Sequence, residues 1–276
     1  MKNFKIALQL YSIRDEMGKD MDAALKAVKE MGYDYVEFAG YFGRSAQEVK
    51  ILLDKHGLKC HSVHQAASIF EKEGQSAIDF LKTIGAKYCA IPWYSVDELK
   101  GTEKWPETVE LFTKVGKTLK ENGIQMLYHN HDFEFSKFEG KFLLDWMFEE
   151  IPSEYLHPQI DTCWVHYAGY NPSEYILKYS GRVSVIHLKD FVCKKLGSGP
   201  VYGLIDEAGN EKRSSKEDNG FEYKPLGLGI QNIPDILEAA EKAGADYLVV
   251  EQDESLDMPT LEAAKISRNY LKSLGL

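Results

Sequence analysis

Polar side chains capable of catalysis or metal binding follow the short apolar segments of this chain, each near the point where such a segment ends. They are Gln9, Tyr11, Glu37, His61, His64, Gln65, His129, His131, Asp132, Glu134, Asp161, His166, His187, Lys189, Asp190, Glu251, Gln252 and Asp253. Six of the eight histidines of the chain are among them. Placing such groups beside apolar strands costs desolvation free energy unless they are paired or bind a metal. Their concentration therefore predicts a functional site.

Four of these residues form a mixed set of nitrogen and oxygen ligands, with one residue from each of four successive segments. They are His129, Asp161, His187 and Glu251. Two neutral imidazoles and two carboxylates suit Mn²⁺, Co²⁺, Fe²⁺ or Zn²⁺ better than Ca²⁺, and the two carboxylates offset the double charge of the ion. The sequence therefore predicts one bound divalent metal ion.

The predicted chemistry is proton abstraction next to a carbonyl. A dication that bridges a carbonyl and its adjacent hydroxyl acidifies the neighbouring C–H bond. We expect His131, Glu134 and Glu251 to supply the base and the acid, with Lys189 stabilising or protonating the developing alkoxide. Return of the proton to the opposite face gives epimerisation, and return to the next carbon gives isomerisation. Loss of a β-hydroxyl or glycosidic oxygen makes the enzyme a lyase.

A second group of residues is expected to bind the substrate by hydrogen bonds or by aromatic contact. It comprises Gln9, Tyr11, Glu37, His64, Trp93, Trp164 and His166. The alternative for Glu37 is an ion pair with Arg14 or Lys189, and the alternative for the aromatic residues is a structural position capping the core. The segment LGLG at 226–229 is the only candidate for a phosphate-binding loop and lacks a convincing helix start. The sequence therefore favours a non-phosphorylated or oxidised sugar.

These residues must be positioned by a repeating unit of helix and strand. Six times a helical stretch ends in a glycine, and an apolar, β-rich run begins two to four residues later. The glycines are Gly32, Gly57, Gly85, Gly123, Gly181 and Gly244. An opening strand at 4–12 and another at 155–165 bring the expected number of strands to eight. Helices alternate with them by their 3.6-residue periodicity.

Eight strands alternating with helices predict a (β/α)8 barrel with a closed parallel sheet. The competing architecture, an open nucleotide-binding sheet, is disfavoured because no GxGxxG motif follows the first strand. No internal linker interrupts the alternation, so we expect one domain over residues 1–276. The long polar segment at about 192–231 is expected to be a loop that covers the active site, with surface elaboration as the alternative.

Composition excludes several classes of protein. The chain has 276 residues, is 44% hydrophobic and carries a formal charge of −10, which describes a globular protein and not a phosphate-backbone binder. No apolar run approaches the length of a membrane span, and the N-terminus enters a strand pattern directly, so we expect a cytoplasmic protein with no membrane partner. Four cysteines without a CxxC pair indicate neither disulfides nor a zinc ribbon. Aromatic residues make up 12% of the chain, and some of them could form a subunit interface instead of core, so the sequence does not decide between a monomer and a homo-oligomer.

The motifs resemble those of the xylose isomerase-like TIM barrels, the sugar phosphate isomerase/epimerase family that shares its fold with endonuclease IV. The resemblance covers nearly the whole chain. It rests on the segments ALQLYSIRDE, YDYVEFAG, YHNHDFEF, IDTCWVHYAG, VIHLKDF, PLGLG and YLVVEQD. In the epimerases of this family the metal is held by Glu, Asp, His and Glu from strands five to eight, and Asp161, His187 and Glu251 match the last three.

Strand five departs from the family pattern. Where many relatives have Glu-Asn-His, this chain has His129-Asn130-His131, so the resemblance implies His129 as the first ligand, with Glu134 as the rival. In the epimerases the two ligating glutamates act as an acid/base pair on opposite faces of the sugar. The replacement therefore argues against simple two-glutamate epimerisation.

The expected function is a metal-dependent isomerase or epimerase acting on a sugar or keto-sugar through an enediolate. The alternative is a lyase or dehydratase acting on a keto-sugar, a keto-inositol or a 3-keto-glycoside, which the histidine on strand five and Lys189 both favour. A DNA-repair nuclease is disfavoured by the charge of −10. A non-catalytic sugar-binding barrel is disfavoured because it has no need of the carboxylate–imidazole ring.

Overall fold

The computed structural model describes residues 3–197 and 219–276, and its centre is a closed barrel of eight parallel strands. The strands are β1 (Lys5–Gln9), β2 (Tyr35–Phe38), β3 (Lys59–His64), β4 (Tyr88–Ile91), β5 (Gln125–His129), β6 (Leu156–Asp161), β7 (Val185–Leu188) and β8 (Tyr247–Val250). Each strand pairs with the next along the chain, and β8 pairs with β1 to close the ring. The predicted (β/α)8 barrel is confirmed.

Helices surround the barrel in the described part of the chain. They are α1 (Arg14–Lys19), α2 (Met21–Met31), α3 (Ala46–His56), α4 (Ala67–Glu73), α5 (Gln75–Ile84), α6 (Trp105–Glu121), α7 (Leu143–Glu150), α8 (Thr162–Tyr167), α9 (Pro172–Lys178), α10 (Ile233–Ala243) and α11 (Thr260–Ser273). No helix among these is both long and apolar enough to cross a membrane.

Helix α2 shows how the sequence specifies these elements. Five of its apolar residues recur at helical spacing and are buried; they are Met21, Ala24, Leu25, Val28 and Met31. The Asp20 side chain accepts the N–H of Ala23 at the start of the helix, and Gly32 ends it in the left-handed region at φ 96°. The other five predicted glycines also have positive φ, between 64° and 89°. The glycine pattern was therefore a sound guide to the strand starts.

Two predicted strands are shorter than expected. The first ends at Gln9 because its side chain accepts the N–H of Tyr11 and starts a 3₁₀ turn at Leu10–Ile13. The sixth ends at Asp161, and the β-rich sequence that follows it forms helix α8. The Asp161 carboxylate accepts the N–H of Cys163 at 2.8 Å and of Trp164 at 3.4 Å, so it is the N-cap of that helix.

The two ends of the barrel interior differ in chemistry. Aromatic and small apolar side chains fill the amino-terminal end, where Tyr35 and Tyr247 meet edge to face with ring centroids 5.4 Å apart. His61 belongs to this floor, because its ring stacks on Tyr247 at 4.5 Å. Burial lowers the pKa of His61 to about 4, so its imidazole is neutral at neutral pH. The polar residues collect at the carboxyl end.

The long loop expected at 192–231 is only partly described. Residues 198–218 lie outside the described part of the chain. At its base, Asp190–Val192 pairs antiparallel with Glu222–Lys224, and the segment Pro225–Gln231 then leads into α10. A second hairpin joins Lys137–Phe138 to Lys141–Phe142.

Helix α6 approaches the strands that carry the site so closely that one position excludes any side chain. A Cβ at Gly116 would lie 2.8 Å from both Cβ and the carbonyl oxygen of Tyr155, just before β6. We expect Gly116→Ala to lower the free energy of unfolding by about 1–3 kcal/mol, although alanine is the better helix former. Denaturant titration tests this, with the exposed Lys117→Ala as control. Equal stability of Gly116→Ala and the parent protein would contradict this packing.

Candidate active site

A cavity of about 320 Å³ opens at the carboxyl ends of the strands. Most of the strands, or the residues directly after them, contribute to its wall. The wall is formed by Tyr11, Ala39, His64, Gln65, Ala66, Pro92, Trp93, His129, His131, Lys189, Glu251 and Asp253. This is the end of the barrel at which the sequence predicted the site, and the end at which enzymes of this architecture bind their substrates.

The four predicted metal ligands lie together, and two of them, His129 and Glu251, line this cavity. His129, Asp161, His187 and Glu251 are all buried, and each offers a ligand atom within 4.8 Å of the others. The strand register explains this, because Asp161 lies opposite His187 on neighbouring strands and Glu251 follows β8 directly. Burial lowers the pKa of His129 well below its ordinary value, so this imidazole is neutral and keeps a lone pair for a cation.

The two oxygens of the Asp161 carboxylate have different partners, one in helix α8 and the other in the ring of ligands. Its Oδ1 accepts the first N–H groups of α8, while Oδ2 lies 3.0 Å from Lys189 Nζ and 3.6 Å from His129 Nε2. Burial raises the pKa of Asp161 to about 6 despite the nearby ammonium group. One oxygen therefore holds the helix, and the other is directed at the ring of ligands.

The His187 imidazole lies between two buried carboxylates. Its Nδ1 is 2.9 Å from Glu251 Oε2, and its Nε2 is 2.7 Å from Glu37 Oε1. Burial alone would lower the pKa of His187, but the Glu37 and Glu251 carboxylates raise it to about 10. His187 thus links the ring of ligands to a second cluster beneath the cavity.

That second cluster is centred on Glu37, which has no exposed surface. Its carboxylate also accepts from Gln9 Nε2 and Gln159 Nε2, both at 2.8 Å, and lies 2.9 Å from His64 Nε2. Burial would raise the pKa of Glu37, but the two imidazoles hold it well below its ordinary value. Its partners are therefore imidazoles, amides and the hydroxyl of Ser62, and not Arg14 or Lys189 as the alternative prediction had it.

Glu37 and Gln9 were predicted to bind sugar hydroxyls, but neither reaches the cavity wall. Both lie beneath it, where Glu37 orients His64 and His187. Arg14 lies at the rim and donates to the carbonyl oxygens of Tyr11 and Asp253. Of these groups only His64 reaches a substrate-sized space.

Lys189 is almost fully buried, yet it lines the cavity. Nζ lies 3.0 Å from Asp161 Oδ2, 3.0 Å from Glu251 Oε2 and 3.2 Å from both oxygens of Asp253. Burial would lower the pKa of Lys189, but these carboxylates raise it well above its ordinary value. The rings of Trp164 and Tyr223 flank Nζ at 5.4 Å and 5.8 Å.

His131 and Glu134 have different positions. His131 lines the cavity, and burial followed by the charge of Lys189 lowers its pKa well below the ordinary value, so its imidazole is neutral. Glu134 has no exposed surface and accepts the N–H of His131 and the hydroxyl of Tyr128, both at 2.8 Å. Glu134 therefore lies apart from the ring of ligands and holds the turn that carries His131.

The remaining predicted substrate-binding residues separate into two pairs. Tyr11 and Trp93 line the cavity. Trp164 is fully buried behind Lys189 and stacks on Phe221 with ring centroids 5.5 Å apart. His166 lies beside a different cavity and its Nδ1 is 2.7 Å from Gln231 Oε1. Trp164 and His166 are therefore not among the residues that line the cavity of the ligand ring.

The sequence interpretation gave no role to two residues of the site. Gln159 Oε1 lies 2.8 Å from His64 Nε2 and 3.1 Å from His129 Nδ1, and its amide nitrogen donates to Glu37. Asp253 is a carboxylate partner of Lys189. A signal for Gln159 was present, because it lies two residues before Asp161 and side chains two apart share one face of a strand.

The burial of the Glu134 carboxyl predicts how the free energy of unfolding depends on pH. Burial raises its pKa from the ordinary 4.5 to about 8. A carboxyl whose pKa is higher in the folded protein contributes stability at low pH and loses it as the pH rises toward the folded value. We expect the free energy of unfolding to fall more steeply between pH 5 and about 8 in the parent than in Glu134→Gln. Denaturant titrations across this range test this, and parallel curves would refute it.

Comparison with known proteins places this geometry in a family. The family model for the xylose isomerase-like TIM barrel matches residues 25–274. An inosose dehydratase of Mesomycoplasma hyopneumoniae is 26% identical over 99% of this chain and 97% of its own, and one of Clostridium perfringens is 22% identical over 93% and 91%.

Solved structures show the same fold. A sugar phosphate isomerase/epimerase from Parabacteroides distasonis superimposes with a TM-score of 0.78 at 21% identity, covering 98% of both chains. The IOLI protein with a bound zinc atom superimposes with a TM-score of 0.73 at 14% identity, covering 98% of this chain and 97% of its own. Because the family model spans nearly the whole barrel, the chain belongs to the xylose isomerase-like TIM barrel family.

Proposed function

We propose that this protein is a divalent-metal-dependent enzyme that isomerises or epimerises a sugar or keto-sugar by removing a proton next to a carbonyl. The observation that carries the proposal is the ring of His129, Asp161, His187 and Glu251, part of which lines a cavity that His131 and Lys189 also line. Relatives named as isomerases, epimerases and dehydratases of sugars and inososes support it.

The donor set fits a divalent transition ion. It offers two imidazoles and two carboxylates in a buried cluster, and Asp161 keeps Oδ2 available because α8 takes the other oxygen. When bound, such an ion supplies Lewis-acid polarisation of a substrate carbonyl and its adjacent hydroxyl. Lys189 Nζ contacts Asp161 Oδ2 and Glu251 Oε2, so the ammonium and the ion compete for these oxygens.

The residues of the cavity divide the proton transfers among them. His131 lines the cavity and is neutral, so its imidazole can accept the proton from carbon. Burial would raise the pKa of Glu251, but Lys189 and His187 hold it well below its ordinary value, so its carboxylate is the second candidate base. Lys189 donates a hydrogen bond or a proton to the developing alkoxide. Trp93 and Tyr11 cover the substrate and exclude water.

A dehydratase is the second candidate function, and the cavity wall favours it. The wall carries Glu251 and Asp253 next to Lys189, but β5 contributes imidazoles instead of a glutamate. A base paired with an ammonium acid suits loss of a β-hydroxyl, because the proton leaves the carbon and the acid protonates the departing oxygen. Whole-length relatives are named inosose dehydratases. The substrate would be a keto-sugar, a keto-inositol or a 3-keto-glycoside.

The metal site is tested by composition. Elemental analysis of the purified protein is expected to find about one equivalent of Mn, Co, Fe or Zn per chain. Asp161→Ala and His187→Ala are expected to lose it, whereas Asp257→Asn, at a carboxylate outside the site, is expected to retain it. Circular dichroism checks that each variant is folded. A parent protein that takes up no transition metal when all four are supplied would refute the site.

The role of Lys189 is tested by rate. We expect Lys189→Met to lower kcat by about 10²–10⁴-fold, because it removes the acid that faces the developing alkoxide. Lys224→Met, at a lysine paired outside the cavity, is the matched control and is expected to leave kcat unchanged. An unchanged kcat in folded Lys189→Met would exclude this lysine from the chemistry.

The two candidate functions differ in their products. Keto-sugars, a keto-inositol and 3-keto-glycosides are incubated with the metal-loaded protein in D₂O, and the products are identified by NMR and mass spectrometry. Isomerisation or epimerisation is expected to give a product with an unchanged number of heavy atoms and deuterium next to the carbonyl. Dehydration gives a product that has lost one water. If no compound in the panel reacts, the proposal of an enolising enzyme fails.

A further inference from the structure

Two overlapping groups of side chains at the carboxyl end of the barrel have the composition and spacing of a metal site. One is the ring of His129, Asp161, His187 and Glu251, and the other is a three-imidazole group of His64, His129 and His187. In each group the potential ligand atoms lie within 4.8 Å of one another. Because an imidazole nitrogen binds a metal only through a free lone pair, the positions of the imidazole hydrogens decide which group is available.

The side chain of Gln159 contacts both groups. Gln159 lies on β6 opposite His129 of β5 in the strand register and precedes Asp161 by two residues, so it shares the inward face of its strand with that ligand. It has no exposed surface. Its Oε1 lies 3.1 Å from His129 Nδ1 and 2.8 Å from His64 Nε2. One amide therefore meets an imidazole of the ring and the imidazole that belongs to the other group alone.

The orientation of this amide is fixed by Glu37. Gln159 Nε2 donates to Glu37 Oε2 at 2.8 Å. The Glu37 carboxylate is ionised, so it accepts hydrogen bonds and has none to donate. The amide nitrogen of Gln159 must therefore face Glu37, and its carbonyl oxygen must face the two imidazoles.

The carbonyl oxygen of Gln159 determines which imidazole nitrogens carry hydrogen, because a carbonyl only accepts hydrogen bonds. His129 therefore has its hydrogen on Nδ1. Since this imidazole is neutral, the lone pair is on Nε2, the nitrogen that lies 3.6 Å from Asp161 Oδ2. His64 has a hydrogen on Nε2, which also lies 2.9 Å from Glu37 Oε1. The two nitrogens that face Gln159 thus have no lone pair for a metal, whereas the nitrogen of His129 that faces the ring does.

We propose that Gln159 is a positioning residue that fixes the tautomers of His129 and His64 and so directs the metal to the ring instead of the three-imidazole group. This inference rests on the proposed function, since it concerns the metal site of the same enzyme. It also accounts for a histidine at the end of β5. A glutamate there, as the resemblance implies for many relatives, has no tautomer to fix, whereas an imidazole needs a partner that leaves the correct nitrogen free.

The tautomers are tested on the metal-free protein by ¹⁵N NMR, because imidazole nitrogens with and without hydrogen resonate at well separated frequencies. In the parent protein at neutral pH we expect hydrogen on Nδ1 and a lone pair on Nε2 of His129, and hydrogen on Nε2 of His64. The signals are assigned by their loss in His129→Gln and His64→Gln. A His129 with its hydrogen on Nε2 and none on Nδ1 would overturn the inference.

Metal affinity tests the consequence of the tautomers. Gln159→Met nearly keeps the volume of the side chain but removes both hydrogen-bonding groups, so we expect it to raise the dissociation constant for Zn²⁺ by about 10–100-fold. The matched control is Gln125→Met at the start of β5, whose side chain donates to two backbone carbonyl groups. This control is expected to bind Zn²⁺ as the parent does. Unchanged affinity in folded Gln159→Met would overturn the role of Gln159.

The choice between the two groups is tested by a variant in each. His64 belongs to the three-imidazole group alone and Asp161 to the ring alone. We therefore expect His64→Gln to keep about one equivalent of Zn²⁺ and Asp161→Ala to lose it. Loss of Zn²⁺ from folded His64→Gln together with its retention by Asp161→Ala would show that the ion binds the other group, and the inference would fail.

The inference and the proposed function can fail separately. If the parent protein takes up no metal, the proposed function fails, and NMR of the metal-free chain still judges the tautomers. If metal binds and a keto-sugar reacts while His129 carries its hydrogen on Nε2, only the role of Gln159 fails. If Gln159→Met does not fold, the NMR spectrum of the parent protein and the metal content of His64→Gln decide.

Discussion

The site depends on one buried imidazole held between two buried carboxylates. His187 touches Glu251 on one side and Glu37 on the other, and none of the three is more than slightly exposed. Two carboxylates this deep in the barrel would repel each other and lose their hydration, so the imidazole between them makes their burial tolerable. Through Glu37 the same contact fixes His64, Gln9 and Gln159, and through Glu251 it fixes one edge of the ring. Removing one member of such a cluster typically costs about 3–5 kcal/mol, because its partner stays buried and uncompensated.

Much of this arrangement was predictable, because it follows from local rules that a sequence displays. Each glycine that ends a helix and precedes an apolar run marks the start of one strand, so the number of strands can be read from the sequence. The carboxyl ends of the strands of a barrel meet at one face. These two rules were sufficient to predict that four residues lie close together, namely His129, Asp161, His187 and Glu251. The ends of the strands were harder to predict. In the sequence, an aspartate that ends a strand and caps a helix cannot be distinguished from an aspartate within the strand.

The depth of each residue was not predictable. Gln9 and Glu37 lie on strand ends like the residues that reach the cavity, but they are one layer lower in the barrel, and that difference depends on strand stagger. Glu134 follows a histidine motif typical of catalysis but turns back to accept the N–H of His131. In both cases the sequence pattern presents the side chain as a reactive group, but in the folded protein it is a hydrogen-bond partner of the reactive group. Pairing of this kind depends on distances between strands that are remote in sequence.

The two roles of the Asp161 carboxylate, in capping helix α8 and in facing the ligands, limit the substitutions that this position tolerates in evolution. Because one oxygen holds the first turn of α8 and the other faces the ligands, the side chain must be short enough to do both at once. Glutamate would keep the charge and lengthen the arm, so it could not keep both oxygens in place. At the end of β5, by contrast, a carboxylate and an imidazole are exchangeable, as the resemblance to relatives with a glutamate at that position implies. We therefore expect the ligand on β6 to be the least variable member of the ring in evolution, for a reason that lies in backbone geometry and not in metal preference.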